Sequence, residues 1–221
     1  MEKNTLIFDL DGTLLNTMGD LHAGFNHAIS EFGYKPRTYD EIQSFIGNGV
    51  RQAIKLSLPD DVQEKTVDKI VDSFKTYYKE HMDEKTKPYD GITEMLKRLK
   101  SNGYKLAVVS NKYDSAVKRL CARFFKEYIS VAIGEGEGIE CKPSPMGVIK
   151  AAKELHSEMC NCVYIGDADT DILTAKNADI PCISVLWGYR DREFLKKNGG
   201  RVFAEKPSDI INIIEKKLYL M

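Results

Sequence analysis

Short apolar runs alternate with amphipathic stretches along most of the chain. Leu6-Ile7-Phe8 and segments within residues 105–110, 128–133, 162–166 and 180–185 have the continuous apolar character of buried parallel strands. Apolar residues spaced three and four apart follow these segments and predict helices, the last near residues 210–214. This alternation predicts an α/β fold with a Rossmann-like, doubly wound parallel sheet.

One long segment departs from the alternation. From residue 17 to residue 86 the pattern is helical throughout, and Gly33, Gly47 and Pro59 mark breaks between its helices. We therefore expect residues 17–86 to form an inserted α-helical cap domain. Residues 1–16 and 87–221 would then form the Rossmann-like catalytic core.

Composition and charge narrow the functional classes. Lys plus Arg is 32 and Asp plus Glu is 33, which gives a net charge of −1 and argues against a general nucleic-acid or anionic-membrane binder. No apolar run reaches the roughly 18 residues that span a bilayer, and the N-terminus lacks the layout of a signal peptide. We expect a cytoplasmic monomer or homodimer whose partner is a small molecule, with no nucleic acid and no membrane.

Polar side chains occur where the predicted strands end. Ligands of an open parallel sheet bind beyond the carboxyl ends of its strands, so these side chains are expected to meet. They are Asp9 and Asp11 after the first strand, Ser110 and Asn111 after the second, Lys142 after the third, and Asp167 and Asp171 after the fourth. Buried carboxylates need a compensating cation, and Mg²⁺ is the usual choice beside phosphate.

The residue types in this set suit phosphoryl transfer. An ionised Asp9 beside a metal-bound phosphoryl group can act as the nucleophile, and Asp11 is placed to act as acid and base. Lys142 supplies a cation, while Ser110 and the backbone near Asn111 supply hydrogen-bond donors. A sharp turn at Gly12 lets Thr13 add a further donor.

Four motifs, in order, resemble the signatures of the haloacid-dehalogenase-like hydrolases. They are Asp9-Leu10-Asp11-Gly12-Thr13, Ser110-Asn111, Lys142 within Cys-Lys-Pro-Ser-Pro, and Gly166-Asp167-Ala168-Asp169-Thr170-Asp171. The resemblance covers the whole chain and implies an Mg²⁺-dependent phosphatase with Asp9 as nucleophile and metal ligand. It further implies acid–base catalysis by Asp11, whose backbone carbonyl would bind the metal. Ser110 and Lys142 would hold the phosphoryl group, Asp167 would ligate the metal and Asp171 would support its shell.

Within that family the chain looks most like the phosphoglycolate phosphatases. The features that carry this are Phe45-Ile46-Gly47-Asn48-Gly49, Lys142-Pro143-Ser144-Pro145 and Trp187-Gly188-Tyr189. We expect substrate binding by Thr13, Asn111, Gly47, Asn48, Gly49 and Arg51. Arg51 would face a carboxylate such as that of 2-phosphoglycolate. Alternatively, the glycine loop is only a turn between helices and Arg51 is a solvated helix residue.

Other functions stay open at this point. The same chemistry could serve a sugar phosphate, pyrophosphate or a nucleotide monophosphate, because the cap decides the substrate. A phosphosugar mutase is less favoured, since such relatives usually carry Glu where this chain has Gly166. A phospho-acceptor switch or binding module without turnover would also combine clustered aspartates with Lys, but it leaves the helical insertion unexplained.

Overall fold

The computed structural model describes residues 3–136, 138–217 and 219, so the predicted core ranges extend slightly beyond the described part. The strands are β1 (Thr5–Phe8), β2 (Leu15–Asn16), β3 (Lys87–Pro88), β4 (Lys105–Tyr113), β5 (Val131–Glu135), β6 (Cys162–Gly166), β7 (Cys182–Val185) and β8 (Val202–Ala204). Within the described residues, six of them form a parallel sheet in the order β5-β4-β1-β6-β7-β8. The predicted α/β class and parallel sheet are confirmed.

Helices cover the sheet and fill the segment between β2 and β3. They are α1 (Met18–Glu31), α2 (Tyr39–Phe45), α3 (Val50–Leu56), α4 (Glu64–His81), α5 (Ile92–Ser101), α6 (Asp114–Phe124), α7 (Met146–Glu154), α8 (Asp169–Asn177), α9 (Arg192–Lys197) and α10 (Pro207–Glu215). Among the helices of the described chain, none combines the length and the hydropathy needed to cross a membrane.

Strand β1 lies inside the sheet, between β4 and β6. Its side chains alternate between the two faces: Leu6 and Phe8 pack into one apolar cluster and Ile7 into the other, and all three are fully buried. Both faces of the strand are therefore covered, which is why its sequence is continuously apolar. This central position brings Asp9, the next residue, to the middle of the carboxyl edge of the sheet.

Helices α1–α4 pack into a helical block, and backbone pairing and hydrogen bonds join the two chain segments that connect this block to the sheet. The buried face of α4 carries Phe74, whose ring lies 4.7 Å from that of Phe25 on α1. Where the chain enters and leaves the block, β2 and β3 pair antiparallel, and the Asp20 carboxylate accepts hydrogen bonds from the backbone of Lys85 and Thr86 at 2.8–3.0 Å. The two connections to the sheet are thereby held side by side.

Strand β4 is longer than the sequence pattern predicts. The apolar pattern predicts an end at Ser110, but the strand continues to Tyr113. Its register with β5 shifts between Val109 and Tyr113. An irregular stretch of this kind redirects side chains away from the ladder. Ser110, Asn111 and Lys112 lie in it, at the edge of the sheet where Asp9 also lies.

Candidate active site

Asp9 extends the pairing of β1 by one residue and places its carboxylate at the strand end. Its backbone N–H donates to the carbonyl of Ile165 at 2.9 Å, and its Oδ1 lies 2.8 Å from Lys142 Nζ. Burial raises the pKa of Asp9 to about 6, against the opposing attraction of Lys142. The residue is only 7% exposed, and it lines a cavity above the sheet edge.

Lys142 is a buried cation between two carboxylates. Its Nζ lies 2.7 Å from Asp171 Oδ1 in addition to its contact with Asp9. Burial acts to lower the pKa of Lys142, but Asp171 and Asp9 outweigh it and the pKa lies well above its usual value. The Asn111 side chain accepts from the Lys142 backbone N–H at 2.6 Å and donates to its carbonyl at 3.0 Å, which fixes the loop. Lys142 therefore stays charged and in place.

The carboxylates of Asp9, Asp167 and Asp171 form a cluster in which one oxygen of each lies within 4.8 Å of the others. All three are buried. Burial, followed by the charges of Asp171 and Asp9, raises the pKa of Asp167 to about 8. Without a metal, Asp167 therefore ionises less readily than an ordinary carboxyl group. An all-oxygen donor set of converging carboxylates fits a hard divalent cation, whose charge would favour the ionised form.

Asp167 is held in one orientation by its neighbours. Thr13 Oγ1 donates to its Oδ1 at 3.0 Å, and the Tyr189 backbone N–H donates to its Oδ2 at 2.8 Å. A Cβ at Gly12 or at Gly188 would lie 2.3 Å from an atom of the Asp167 side chain, so the packing requires glycine at both positions. Thr13, expected to contact substrate, is fully buried and orients Asp167 instead.

Two side chains from different parts of the chain bind the Asp11 carboxylate. Thr17 Oγ1 donates to Asp11 Oδ1 at 2.6 Å, and Lys112 Nζ contacts both carboxylate oxygens, at 3.0 and 2.9 Å. Lys112 follows directly after the Ser110-Asn111 pair that the sequence pattern singled out, yet it carries no predicted role. The Ser110 hydroxyl accepts a hydrogen bond of 3.4 Å from the Lys112 backbone N–H.

A cavity lies above Asp9, between the sheet edge and the helical block. Its apolar wall comes from the helical block, and its polar floor comes from the sheet edge. The wall includes Leu21, Phe25, Ile46, Val50 and Ala53, and the floor includes Asp9, Asp11, Ser110, Asn111, Lys112, Lys142 and Asp167. Gly47 and Gly49 of the predicted substrate loop also line it, whereas Asn48 is not among its lining residues in the described chain.

Arg51 lies elsewhere. Its exposed guanidinium pairs with Glu64 at 2.6 Å and with Asp68 at 2.9 Å, and it lines a separate crevice that Tyr113 and Glu135 of the sheet also line. It is absent from the described residues that line the cavity above Asp9. The expectation that Arg51 faces the substrate is therefore corrected: two nearby carboxylates on α4 hold the guanidinium outside.

The arginine that does line the cavity is Arg190, which the sequence pattern did not single out. Its guanidinium donates to the carbonyls of Gln43, Ser44 and Ile46 at 3.0–3.1 Å, at the carboxyl end of α2. Asn111 Nδ2 also donates across the cavity, to the Gly47 carbonyl at 2.9 Å. Arg190 directly follows the motif Trp187-Gly188-Tyr189. This position next to a motif was the signal in the sequence that could have identified Arg190 as a site residue.

Comparison with known proteins identifies the family. A sequence model described as "Haloacid dehalogenase-like hydrolase" matches residues 6–185. The chain is 32% identical to a phosphoglycolate phosphatase of Aquifex aeolicus, over 95% of this chain and 96% of that protein. It is 31% identical to the pyrophosphatase PpaX of Listeria innocua, over 95% of each chain.

A solved structure agrees with these sequence matches. It is a Lactobacillus delbrueckii subsp. bulgaricus protein provisionally named a phosphoglycolate phosphatase. It superimposes with a TM-score of 0.91 at 35% identity, covering 97% of this chain and 99% of that one. The matches confirm the resemblance and the enzyme class expected from the four motifs, a phosphatase hydrolase. The chain therefore belongs to the haloacid dehalogenase-like hydrolases.

Proposed function

We propose that the protein is an Mg²⁺-dependent phosphatase that hydrolyses a small phosphate monoester. The first candidate substrate is 2-phosphoglycolate. The observation that carries this proposal is the convergence of Asp9, Lys142 and the buried carboxylate cluster at the floor of one cavity. A nucleophilic oxygen, a fixed cation and a divalent-metal donor set are the parts that phosphoryl transfer needs.

The reaction follows in two displacements. An Asp9 oxygen attacks phosphorus, the ester P–O bond breaks, and the leaving oxygen takes the proton that Asp11 holds in the substrate complex and regains in the next step. Water then attacks phosphorus while Asp11 takes its proton, and the bond between phosphorus and Asp9 breaks to release phosphate. Lys142 and Ser110 hold the phosphoryl oxygens. Bound Mg²⁺ supplies further positive charge, and Asp9, Asp167, Asp171 and the Asp11 backbone carbonyl are the groups proposed to hold it.

The cavity supports a small substrate with a second anionic group. Its upper wall is apolar, and Arg190 adds a cation whose partners in the described part of the chain are carbonyl oxygens rather than carboxylates. A positive charge left without a carboxylate partner attracts an anion. The carboxylate of 2-phosphoglycolate meets this requirement, and the Aquifex aeolicus relative is named for that substrate.

We further propose that residues 17–86 act as a cap over a core of residues 1–16 and 87–221. The contacts of Arg190 and Asn111 with the helical block support a cap that rests on the core and shields the reaction from bulk water. As partners we propose small phosphate esters and neither nucleic acid nor membrane. The proposed setting is the cytoplasm, and the proposed state is a monomer or homodimer.

A panel of phosphate esters tests the substrate. Phosphate release is measured with 2-phosphoglycolate, ethyl phosphate, pyrophosphate, a hexose phosphate and a nucleoside monophosphate, each with Mg²⁺ and with a chelator. We expect Mg²⁺-dependent turnover with the highest kcat/KM for 2-phosphoglycolate, and at least about tenfold above ethyl phosphate, which lacks the carboxylate. Equal values for these two would contradict the substrate. Turnover that survives in Asp9→Asn would contradict the reaction itself.

Pyrophosphate is the second candidate substrate. The cation of Arg190 suits a second phosphoryl group as well as a carboxylate, and the Listeria innocua relative is named a pyrophosphatase. A mutase receives no support from the site. A Cβ at Gly166 would lie 2.2 Å from Asp171 Oδ2, so this backbone has no room for the Glu that such relatives carry.

A further inference from the structure

Lys112 is a buried cation of the site that the reaction described above does not use. Its side chain is 3% exposed, and its Nζ lies 2.9 Å from one Asp11 oxygen and 3.0 Å from the other. It lines the same cavity as Asp9. Burying an ammonium group is costly unless a partner compensates its charge, so Lys112 and Asp11 stabilise each other.

The helical block also contacts Lys112. The ring centroid of Tyr78, on α4, lies 4.8 Å from Lys112 Nζ, a distance suited to a cation–π contact. Tyr78 is fully buried and stacks on Phe74 at 5.1 Å. The ammonium group therefore contacts both a carboxylate of the sheet edge and an aromatic ring of the helical block.

We infer that Lys112 is a positioning residue that holds the Asp11 carboxyl in the orientation needed for proton transfer to the leaving oxygen. The inference rests on the proposed function. Both Asp11 oxygens contact Lys112, and Thr17 adds a second donor to one of them. Without Lys112, Thr17 is the one remaining side-chain donor to this carboxyl among the described residues, and a single hydrogen bond permits rotation about the side chain.

The chemistry of the leaving group provides a specific signature. When the ester P–O bond breaks, the bonding electrons go to the leaving oxygen, and an alkoxide needs the proton that Asp11 supplies. A nitrophenolate leaves without that proton because it is a stable anion. A positioned general acid contributes about 10²- to 10⁴-fold to rate, so a misplaced Asp11 should slow alkyl esters and largely spare aryl esters.

The test compares Lys112→Met with Lys118→Met, whose lysine lies on α6 and forms an exposed pair with Asp114. The substrates are p-nitrophenyl phosphate and the best alkyl phosphate of the ester panel. For Lys112→Met we expect kcat/KM to fall about 10- to 100-fold for the alkyl ester and less than about threefold for the aryl ester. Lys118→Met should match the wild type with both. Equal losses for the two esters, or no loss, would overturn the role of Lys112.

A double-mutant cycle separates an action through Asp11 from a direct one. If Lys112 acts through Asp11, Lys112→Met should cost nothing further in kcat/KM when Asp11 is already Asn. An additive loss would instead show that Lys112 acts on the substrate directly, and would overturn the inference. Lys112→Arg, which keeps the charge, should retain most of the wild-type ratio between alkyl and aryl esters.

Folding of the variants is controlled within the same set. Lys112→Met leaves a buried carboxylate unpaired, whereas the Asp11→Asn/Lys112→Met pair removes both charges and should regain thermal stability. If the single variant does not fold, Lys112→Gln is assayed in its place with the same expected ratios. Asp11→Asn with unimpaired alkyl-ester turnover would contradict the proposed function. Impaired Asp11→Asn beside an unaffected Lys112→Met would overturn only the role of Lys112.

Discussion

At the scale of single residues, each charged group of the site depends on partners that are distant along the chain. Lys142 lies between Asp9 and Asp171, and Asp167 receives donors from Thr13 and Tyr189. These contacts compensate part of the cost of burying charge, but three buried carboxylates still lie close together. Burial first, and the neighbouring carboxylates second, keep the pKa values of Asp9 and Asp167 raised.

These raised pKa values predict how the stability of the metal-free protein depends on pH. The folded-state pKa values of about 6 for Asp9 and about 8 for Asp167 lie above the unfolded values. Each group therefore contributes stability that is complete below about pH 4 and is lost as pH rises through its folded pKa. We expect the Tm of the metal-free protein to fall between about pH 5 and pH 9, and Mg²⁺ to raise it most at the alkaline end.

Asp167→Asn is the matched control for this pH dependence, because it keeps the shape of the side chain and removes its charge. Calorimetry across the same pH range should show a shallower fall for this variant than for the wild type, with the difference concentrated near pH 8. Parallel curves for the two proteins would show that Asp167 does not carry the effect.

At the scale of elements, irregular backbone brings the chemistry to the cavity. The register shift in β4 presents Ser110, Asn111 and Lys112 at the sheet edge, and the loop after β7 brings Arg190 to the end of α2. Helix carboxyl ends carry partial negative charge, so the Arg190 guanidinium satisfies carbonyls of α2 and is attracted to them. Arg190 is thus both a wall of the cavity and a contact between loop and helical block.

Arg190→Ala is predicted to weaken substrate binding more than the chemical step. The variant loses the hydrogen bonds to α2 and a cation beside the cavity, so KM for 2-phosphoglycolate should rise about tenfold, equivalent to about 1.4 kcal/mol, with a smaller change in kcat. Arg192→Ala is the control, because Arg192 forms an exposed pair with Glu205 on the same stretch of chain. Steady-state kinetics on both variants measure KM and kcat. An unchanged KM in Arg190→Ala would contradict a role of Arg190 in substrate binding.

The junction of β6 and α8 leads to a second prediction at this scale. Because a Cβ at Gly166 would lie 2.2 Å from Asp171 Oδ2, Gly166→Ala must displace Asp171 from Lys142. We expect kcat/KM to fall at least about tenfold and Tm to fall by several degrees. Gly136→Ala, whose Cβ would meet its nearest neighbour at an ordinary 3.6 Å, should change neither. Wild-type activity in Gly166→Ala would show that the Asp171 contact is dispensable.

At the scale of the whole molecule, the sequence pattern predicted what repeats along the chain and missed what depends on distant contacts. The sheet and most helices follow from apolar periodicity, and the strand ends just before Asp9 and Asp167 follow from where the apolar runs stop. Strands β2 and β3 have two residues each and β8 has three, too short to show a period. These short strands form because β2 pairs with β3 and β8 pairs with β7, which are contacts between separate parts of the chain.

Distant contacts also explain why the sequence pattern did not indicate Lys112 and Arg190 and why it placed Arg51 at the substrate. Local sequence gives the type of a residue but not its partner: Asp11 and Lys112 are 101 positions apart, and Arg190 meets α2 across more than 140 positions. Arg51 looked suitable because it follows the glycine loop, yet α4 supplies two carboxylates that hold it outside. Such pairings are set by how the helical block packs on the sheet.

In the proposed reaction, Asp9 carries the phosphoryl group between the two displacements. The most direct test is mass spectrometry of the enzyme after acid quenching in the first turnovers with Mg²⁺ and its best substrate. We expect a transient mass increase of one phosphoryl group on the peptide that contains Asp9, and none in Asp9→Asn. A phosphoryl group found on another residue, or full turnover by Asp9→Asn, would contradict it.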